Sequence, residues 1–242
     1  MPAGLTGGGR TMSEKTKERL IYVLLLFIKG FGRTFYRFNV SWIGKIPKDP
    51  WKNLRLVVFL NHTSLFEPIF AGWVPTQFLK RVAKKGVVPI ADKTMRRPLA
   101  GRFFKLVARK VVTISRRRDY TWERFVNKIS PDSLVFILPE GRMKRANGLD
   151  AEGKPMTVRG GVADLLRAIP GGRMIIAYSG GLHHVQVPSQ RFPKLFKTLQ
   201  MRIESVDISH YTRHLLEHSG MENFKKAVAR DLESRRDLYC TS

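Results

Sequence analysis

Cysteine is nearly absent from the chain, the single Cys240 standing two residues from its end. One thiol forms no intramolecular disulfide and no cysteine-based zinc site, and it suits a reducing compartment. Acidic residues are also scarce: 19 Asp and Glu face 44 Lys and Arg, a formal net charge of +25. That excess is extreme for an enzyme of small neutral metabolites and implies a polyanionic partner, either nucleic acid or an anionic membrane surface. Long apolar runs are missing too. The longest, Leu20 to Ile28, has nine residues, against about 20 needed to cross a bilayer. No small-residue cleavage site follows it, so it does not read as a signal peptide.

What the chain does contain is core material. With 242 residues, 43% hydrophobic and 10% aromatic, it has enough apolar surface for one domain with a small appendage. Residues 1–11 are Gly-rich and aperiodic, a flexible tail, an expression remnant or the product of an upstream start, with Met12 as an alternative initiator. Residues 12–38 read as a membrane-associating helical segment. After the apolar run, Lys29, Arg33 and Arg37 recur every fourth position among Phe31, Phe35, Tyr36 and Phe38, a pattern suited to a helix lying in the headgroup region. The competing reading is a helix packed on the domain core, with Gly30 and Gly32 interrupting a straight element.

Residues 39–242 read as an α/β domain. Strand signals fall at Asn39–Ile43, Leu54–Leu60, Phe78–Ala83, Val111–Ser115, Ser133–Leu138, Arg173–Ser179 and Leu199–Val206, separated by helical stretches. Helices are expected from Pro68 to about Val74, over Leu99–Lys110 as a basic amphipathic helix, over Tyr120–Ile129 and Gly160–Ala168, and after Gly220 with Met221, Phe224, Val228 and Leu232 buried. Ala146 to Thr157 is expected to be a mobile loop. This alternation predicts a parallel or mixed sheet flanked by helices, with ligands bound beyond the strand ends.

Two strand ends carry polar clusters. The first is Leu54 to Pro68, where an apolar strand runs into Asn61-His62-Thr63-Ser64-Leu65-Phe66-Glu67. Side chains five apart diverge by about 140° on a helix, so His62 is placed before the helix and Glu67 in its first turn. The carboxylate then reaches one ring nitrogen and leaves the other free to take a proton. Ser64 and Glu67 equally have capping-box spacing, and spacing alone does not choose between the two roles. The second cluster is Pro139-Glu140-Gly141-Arg142-Met143-Lys144-Arg145, whose mix of carboxylate, glycine and cations suits a phosphate-bearing ligand. Arg116 ends a third strand.

The block Asn61 to Glu67 resembles the N-H-x-S-x-x-D motif of the glycerolipid acyltransferases of the lysophosphatidate acyltransferase type. Ala83-Lys84-Lys85, Pro98, Gly101 and the strand ending at Arg116 resemble that family's second block. Leu138-Pro139-Glu140-Gly141 resembles its F-P-E-G-T-R block, and Arg159-Gly160 with Met174 to Ala177 extend the likeness, which covers roughly residues 40–179. Three departures stand out: Glu67 for the usual aspartate, Arg142 and Met143 for Thr and Arg, and Ala177 for proline.

The resemblance implies direct acyl transfer from a thioester, acyl-CoA or acyl carrier protein, to the hydroxyl of a lysolipid acceptor. It needs no cofactor, metal or nucleophilic Ser or Cys. His62 would be the general base and Glu67 its orienting partner. Arg116, Arg142 and Lys144 would hold the anionic headgroup, Glu140 and Gly141 would shape that pocket, and Ser64 would cap or contact substrate. The departures leave the acceptor open, lysophosphatidate or another lysolipid. The expected location is peripheral or monotopic on the cytoplasmic membrane face. His210, His214 and His218 have metal-ligand spacing but lack a completing carboxylate, and His183-His184 reads as structural or surface. Two rivals stand beside this: a basic nucleic-acid-binding protein, against which no recognisable binding motif appears, and a non-catalytic lipid-binding module of the same fold.

Overall fold

The computed structural model describes residues 13–96, 101, 106, 109–115, 119–187, 190 and 192–240. Seven strands form one mixed sheet: β1 (Tyr36–Ile43), β2 (Leu54–Leu60), β3 (Gly86–Ala91), β4 (Lys110–Ile114), β5 (Leu134–Ile137), β6 (Arg173–Ser179) and β7 (Lys197–Asp207). Their order is β1-β7-β6-β2-β5-β3-β4. Every pairing is parallel except β6 with β7, which runs antiparallel from Arg173↔Asp207 to Ser179↔Met201. The carboxyl ends of β2, β3, β4, β5 and β6 therefore share one edge, where crevices for ligands form in such sheets.

β2 lies at the centre and alternates fully buried with partly buried residues. Leu56, Val58 and Leu60 point to one face, against α5 (Gly161–Ala168) and α6 (Ile208–Tyr239), where Phe125, Leu165, Phe224, Val228 and Leu232 complete a core. The other face packs on α1 (Glu14–Phe35), a 3₁₀ helix (Glu67–Gly72) and α2 (Thr76–Lys85), through Ile21, Leu25, Ile69, Phe78 and Leu79. Each such buried aliphatic or aromatic side chain contributes about 1.5–3 kcal/mol. Two further helices are α3 (Asp92–Met95) and α4 (Tyr120–Val126).

α1 starts on a Ser13 cap whose hydroxyl accepts from the Thr16 amide at 3.2 Å. It runs unbroken through Gly30 and Gly32. Gly32 serves a close crossing: a Cβ there would sit 3.1 Å from the Ile69 carbonyl oxygen of the 3₁₀ helix. Lys29 reaches across the same crossing to the carbonyls of Gly72, at 3.3 Å, and Val74, at 2.5 Å. The segment thus has one face on the domain and another outward, with Leu20, Val23 and Phe27 exposed. Tyr36 to Phe38 already belong to β1, beyond the helix.

Several sequence expectations give way. Phe78–Ala83 is helical, because Pro75 starts α2 and Phe78, Leu79, Val82 and Ala83 form a stripe of helical period on the core. The neighbouring strand is instead β3, Gly86–Ala91, which carries Pro89 within it. The last helix starts at Ile208, well before Gly220, and breaks there at φ +69°. Met221 is exposed, and Ile208 and Tyr211 are buried in its stead. The expected helix Leu99–Lys110 lies mostly outside the described residues, as do residues 1–12.

Candidate active site

The site grows from the end of β2. Asn61 turns the chain with a left-handed φ of +63°, a conformation Asn tolerates better than most residues. Its side-chain amide donates to the Ser179 carbonyl at 2.8 Å, tying the turn to the end of β6. Thr63 Oγ1 accepts from the Leu182 amide at 2.8 Å. The ladder of β2 has ended by then, so the amides of Asn61 and His62 need other acceptors. Both find the Glu140 carboxylate, at 3.2 and 2.8 Å. The His62 carbonyl is held in turn by the Lys144 amide at 2.7 Å.

With its backbone fixed at both ends, His62 directs Nδ1 onto Glu67 Oε2. Glu67 Oε1 accepts from the amides of Thr63, at 2.8 Å, and Ser64, at 3.2 Å. One carboxylate therefore fills both roles between which spacing did not choose, capping the turn with one oxygen and orienting the ring with the other. Burial disfavours the charged imidazole, but the adjacent Glu67 charge and hydrogen bond, aided by Glu140, outweigh it, so the His62 pKa is raised. Ser64 is the start of the turn: its hydroxyl accepts from the Phe66 amide at 3.1 Å and donates to Gln186 Oε1 at 3.1 Å.

His62 and Glu67 open onto a cavity of about 510 Å³ that runs between the sheet and the layer of α1, the 3₁₀ helix and α2. Its walls are mainly apolar, with Val57, Phe59, Phe70, Trp73, Phe78 and Ala177 among them. The polar groups cluster at the strand-end side: His62, Ser115, Gly141, Arg159 and Asp164. Size and lining fit an extended apolar ligand with one polar end.

The second sequence cluster divides. Gly141, at φ +62°, lines the cavity, and a Cβ there would meet Arg159 Nε at 3.4 Å. Glu140 does not line it; it is 2% exposed and lies behind the His62 backbone. Burial raises its pKa, opposed by the His62 amide and the Arg236 guanidinium 3.4 Å away. Arg142 turns from the cavity to pair with Asp150, whose carboxyl is lowered to about 2 by the Lys154 amide, with help from Arg142. Lys144 contributes its backbone, accepting from His183 Nε2 at 2.8 Å as well as holding His62. Arg116 lies outside the described residues, one position beyond the cavity-lining Ser115.

Sequence reasoning missed Arg159 as a site residue, although it had been marked as part of the resemblance. Gln186 and Arg236 gave no local signal, being 122 and 96 residues from the groups they touch. His184 Nε2 bonds the Thr198 carbonyl at 2.9 Å. His214 and His218 stack at 4.4 Å on α6, but no group of three or more His, Cys, Asp or Glu fit to hold a metal occurs among the described residues.

The sequence model of the family described as Acyltransferase matches residues 37–179. Among solved structures, the chain is similar to the 1-acyl-sn-glycerophosphate (LPA) acyltransferase PlsC from Thermotoga maritima, at 19% identity and a TM-score of 0.50, covering 90% of this chain and 82% of that one. At that identity the likeness speaks for the fold. No curated protein matches the chain.

Proposed function

The chain belongs to the acyltransferase family, and on that premise we propose that it moves a fatty acyl group from a thioester, acyl-CoA or acyl carrier protein, to a hydroxyl of a lysophospholipid. The observation that carries this reading is the His62–Glu67 pair at the polar end of a deep apolar cavity. The cavity takes the acyl chain, with its thioester carbonyl beside His62. Neutral His62 keeps Nδ1–H on Glu67, and Nε2 removes the acceptor's hydroxyl proton as that oxygen attacks the carbonyl carbon. The tetrahedral intermediate collapses by breaking the C–S bond, and the imidazolium returns the proton to the departing thiolate. The acyl group passes directly between substrates, so no protein nucleophile intervenes. The Thr63 and Ser64 amides are occupied by Glu67, so other donors meet the oxyanion.

Headgroup phosphate is held by Arg159, which lines the cavity; Arg116, outside the described residues, and Lys144 are the further cations that the family resemblance offers for it. Arg142 has no part in this, since it serves the loop through Asp150. Lysophosphatidate is the leading acceptor, and the departures at Glu67, Met143 and Ala177 make other lysolipids the alternatives to assay.

No helix among the described residues is long and apolar enough to cross a membrane. We propose that the protein lies on the cytoplasmic membrane face through α1. Leu20, Val23 and Phe27 are exposed along it at 44, 61 and 70%. Phe196, 72% exposed, packs edge-on to Phe35 at 5.8 Å. A chain of net charge +25 supplies the attraction to anionic lipid.

The experiment offers purified protein both thioester donors against a panel of lysolipids, with anionic vesicles present. Transfer by the wild type, lost in His62→Ala while vesicle binding stays unchanged, is the expected result. Full activity in His62→Ala sinks the role of His62. Tight oligonucleotide binding with a steep salt dependence and no transfer replaces the whole reading with the nucleic-acid one.

A further inference from the structure

The residues matched by the family model stop at 179, yet α6 reaches back into the site from beyond them. Its last turns carry Glu233 and Arg236, three positions apart on one helical face and bonded to the segments beyond the strand ends. Arg236 Nη1 donates to Glu140 Oε1 at 3.4 Å and to the Met156 carbonyl at 2.9 Å, while Nε donates to Asp237 at 2.9 Å. Glu233 Oε1 accepts from the Val158 amide at 2.7 Å, next to Arg159 at the cavity rim. Arg235 instead ties α6 to the sheet through Glu204, at 2.7 and 2.8 Å. Glu140 itself grips the amides of Asn61 and His62.

We propose that α6 belongs to the working site through Arg236, a positioning residue that fixes Glu140 and, through it, the backbone from which His62 reaches the cavity. This rests on the reading of His62 as general base. Glu140 sets one oxygen on each of two successive amides, and the carboxylate accepts both more strongly than the protonated acid does. A buried carboxylate persists as a charge only where cations and donors compensate it. Arg236 is a cation hydrogen-bonded to it, from an element that packs independently on the sheet through Phe224, Val228 and Leu232. Without that guanidinium the Glu140 carboxylate loses a compensating cation, its hold on the two amides weakens, and the peptide between Asn61 and His62 tilts. The ring then meets Glu67 and the acceptor hydroxyl at the wrong angle, which lowers turnover more than substrate binding.

The test compares Arg236→Gln, Arg236→Lys and Arg235→Gln in the full chain with the thioester and lysolipid assay above. Arg236→Gln is expected to lower kcat by about tenfold or more with KM for both substrates nearly unchanged, and Arg236→Lys to restore part of it. Arg235→Gln lowers Tm and keeps kcat. Equal losses of kcat and Tm in the two glutamine variants reduce α6 to scaffolding and overturn the proposal, as does an unchanged kcat in Arg236→Gln. A second readout needs no turnover: the downfield Nδ1 proton of His62 in 15N-histidine-labelled protein, assigned by its loss in His62→Ala. It moves upfield in Arg236→Gln and stays in place in Arg235→Gln; the same position in wild type and Arg236→Gln refutes the relay. If Arg236→Gln does not fold, Arg236→Lys carries both readouts at smaller amplitude. A wild type that transfers no acyl group defeats the proposed function, while the proton resonance still decides the positioning.

Discussion

Glu67→Asp is the sharpest perturbation of the site, because it exchanges this chain's residue for the one usual in glycerolipid acyltransferases. The Glu67 carboxylate serves three groups at once: the Thr63 and Ser64 amides at 2.8 and 3.2 Å and His62 Nδ1. Removing one methylene retracts it by about 1.5 Å. The 2.8 Å contact then opens to roughly 4.3 Å, beyond hydrogen-bonding range. An aspartate at the start of the 3₁₀ helix therefore keeps the amides or the imidazole, not both. Losing one charge-assisted hydrogen bond costs about 1.5–3 kcal/mol, and if that falls on the imidazole in the transition state it corresponds to roughly a 13- to 160-fold fall in kcat. Steady-state acyl transfer, with circular dichroism to certify the fold, measures it. Wild-type kcat in Glu67→Asp would refute the three-way geometry and show a turn that adjusts to either acid.

Glu67→Gln keeps the shape and removes the charge. Since Glu67 holds the His62 pKa up, the variant's His62 titrates lower. A general base works when neutral, so activity that falls as pH drops through the raised pKa is expected to persist to lower pH, at a kcat reduced about 10²- to 10⁴-fold; a pH–rate profile with an unmoved acid limb counts against the pairing. Ala177→Phe fills the apolar cavity from β6. It is expected to shift preference toward shorter acyl chains, with each methylene excluded weakening binding by about 0.8 kcal/mol, or roughly fourfold. A donor-length series reads this directly, and an unchanged preference would place the acyl chain elsewhere. Gly141→Ala puts a Cβ at φ +62°, 3.4 Å from Arg159, for about 1–2 kcal/mol of strain. Its Tm should fall and its KM for acceptor rise, whereas an unaltered KM would dissociate Arg159 from the headgroup.

The alternation of strand and helix, the central apolar strand and the polar residues at its end were legible along the chain because each is local. The apolar run Leu54–Leu60 and the His62–Glu67 spacing need no distant partner to be recognised. Failures came where local signals conflicted. Phe78–Ala83 is short and apolar enough to pass for a strand, and only its stripe against α1 and the sheet settles it as α2. β3, which sits between β5 and β4, takes the place in the sheet that the sequence reading gave to that segment.

The candidate site divides along the same line. Composition and order set the residue types: a histidine with a carboxylate five positions on, a basic glycine-containing turn after a second strand, and a net charge suited to anionic surfaces. The chain alone gave Glu140 and Arg142 to the headgroup because they stand in the matching block. Folding sends Glu140 behind the His62 backbone, where two amides beyond the end of β2 lack partners, and turns Arg142 to Asp150. It brings Arg159 to the cavity wall and Arg236 across 96 residues onto a buried carboxylate. Such assignments depend on which groups are dehydrated together, and burial is a property of the packed sheet and helices that no local stretch of sequence carries.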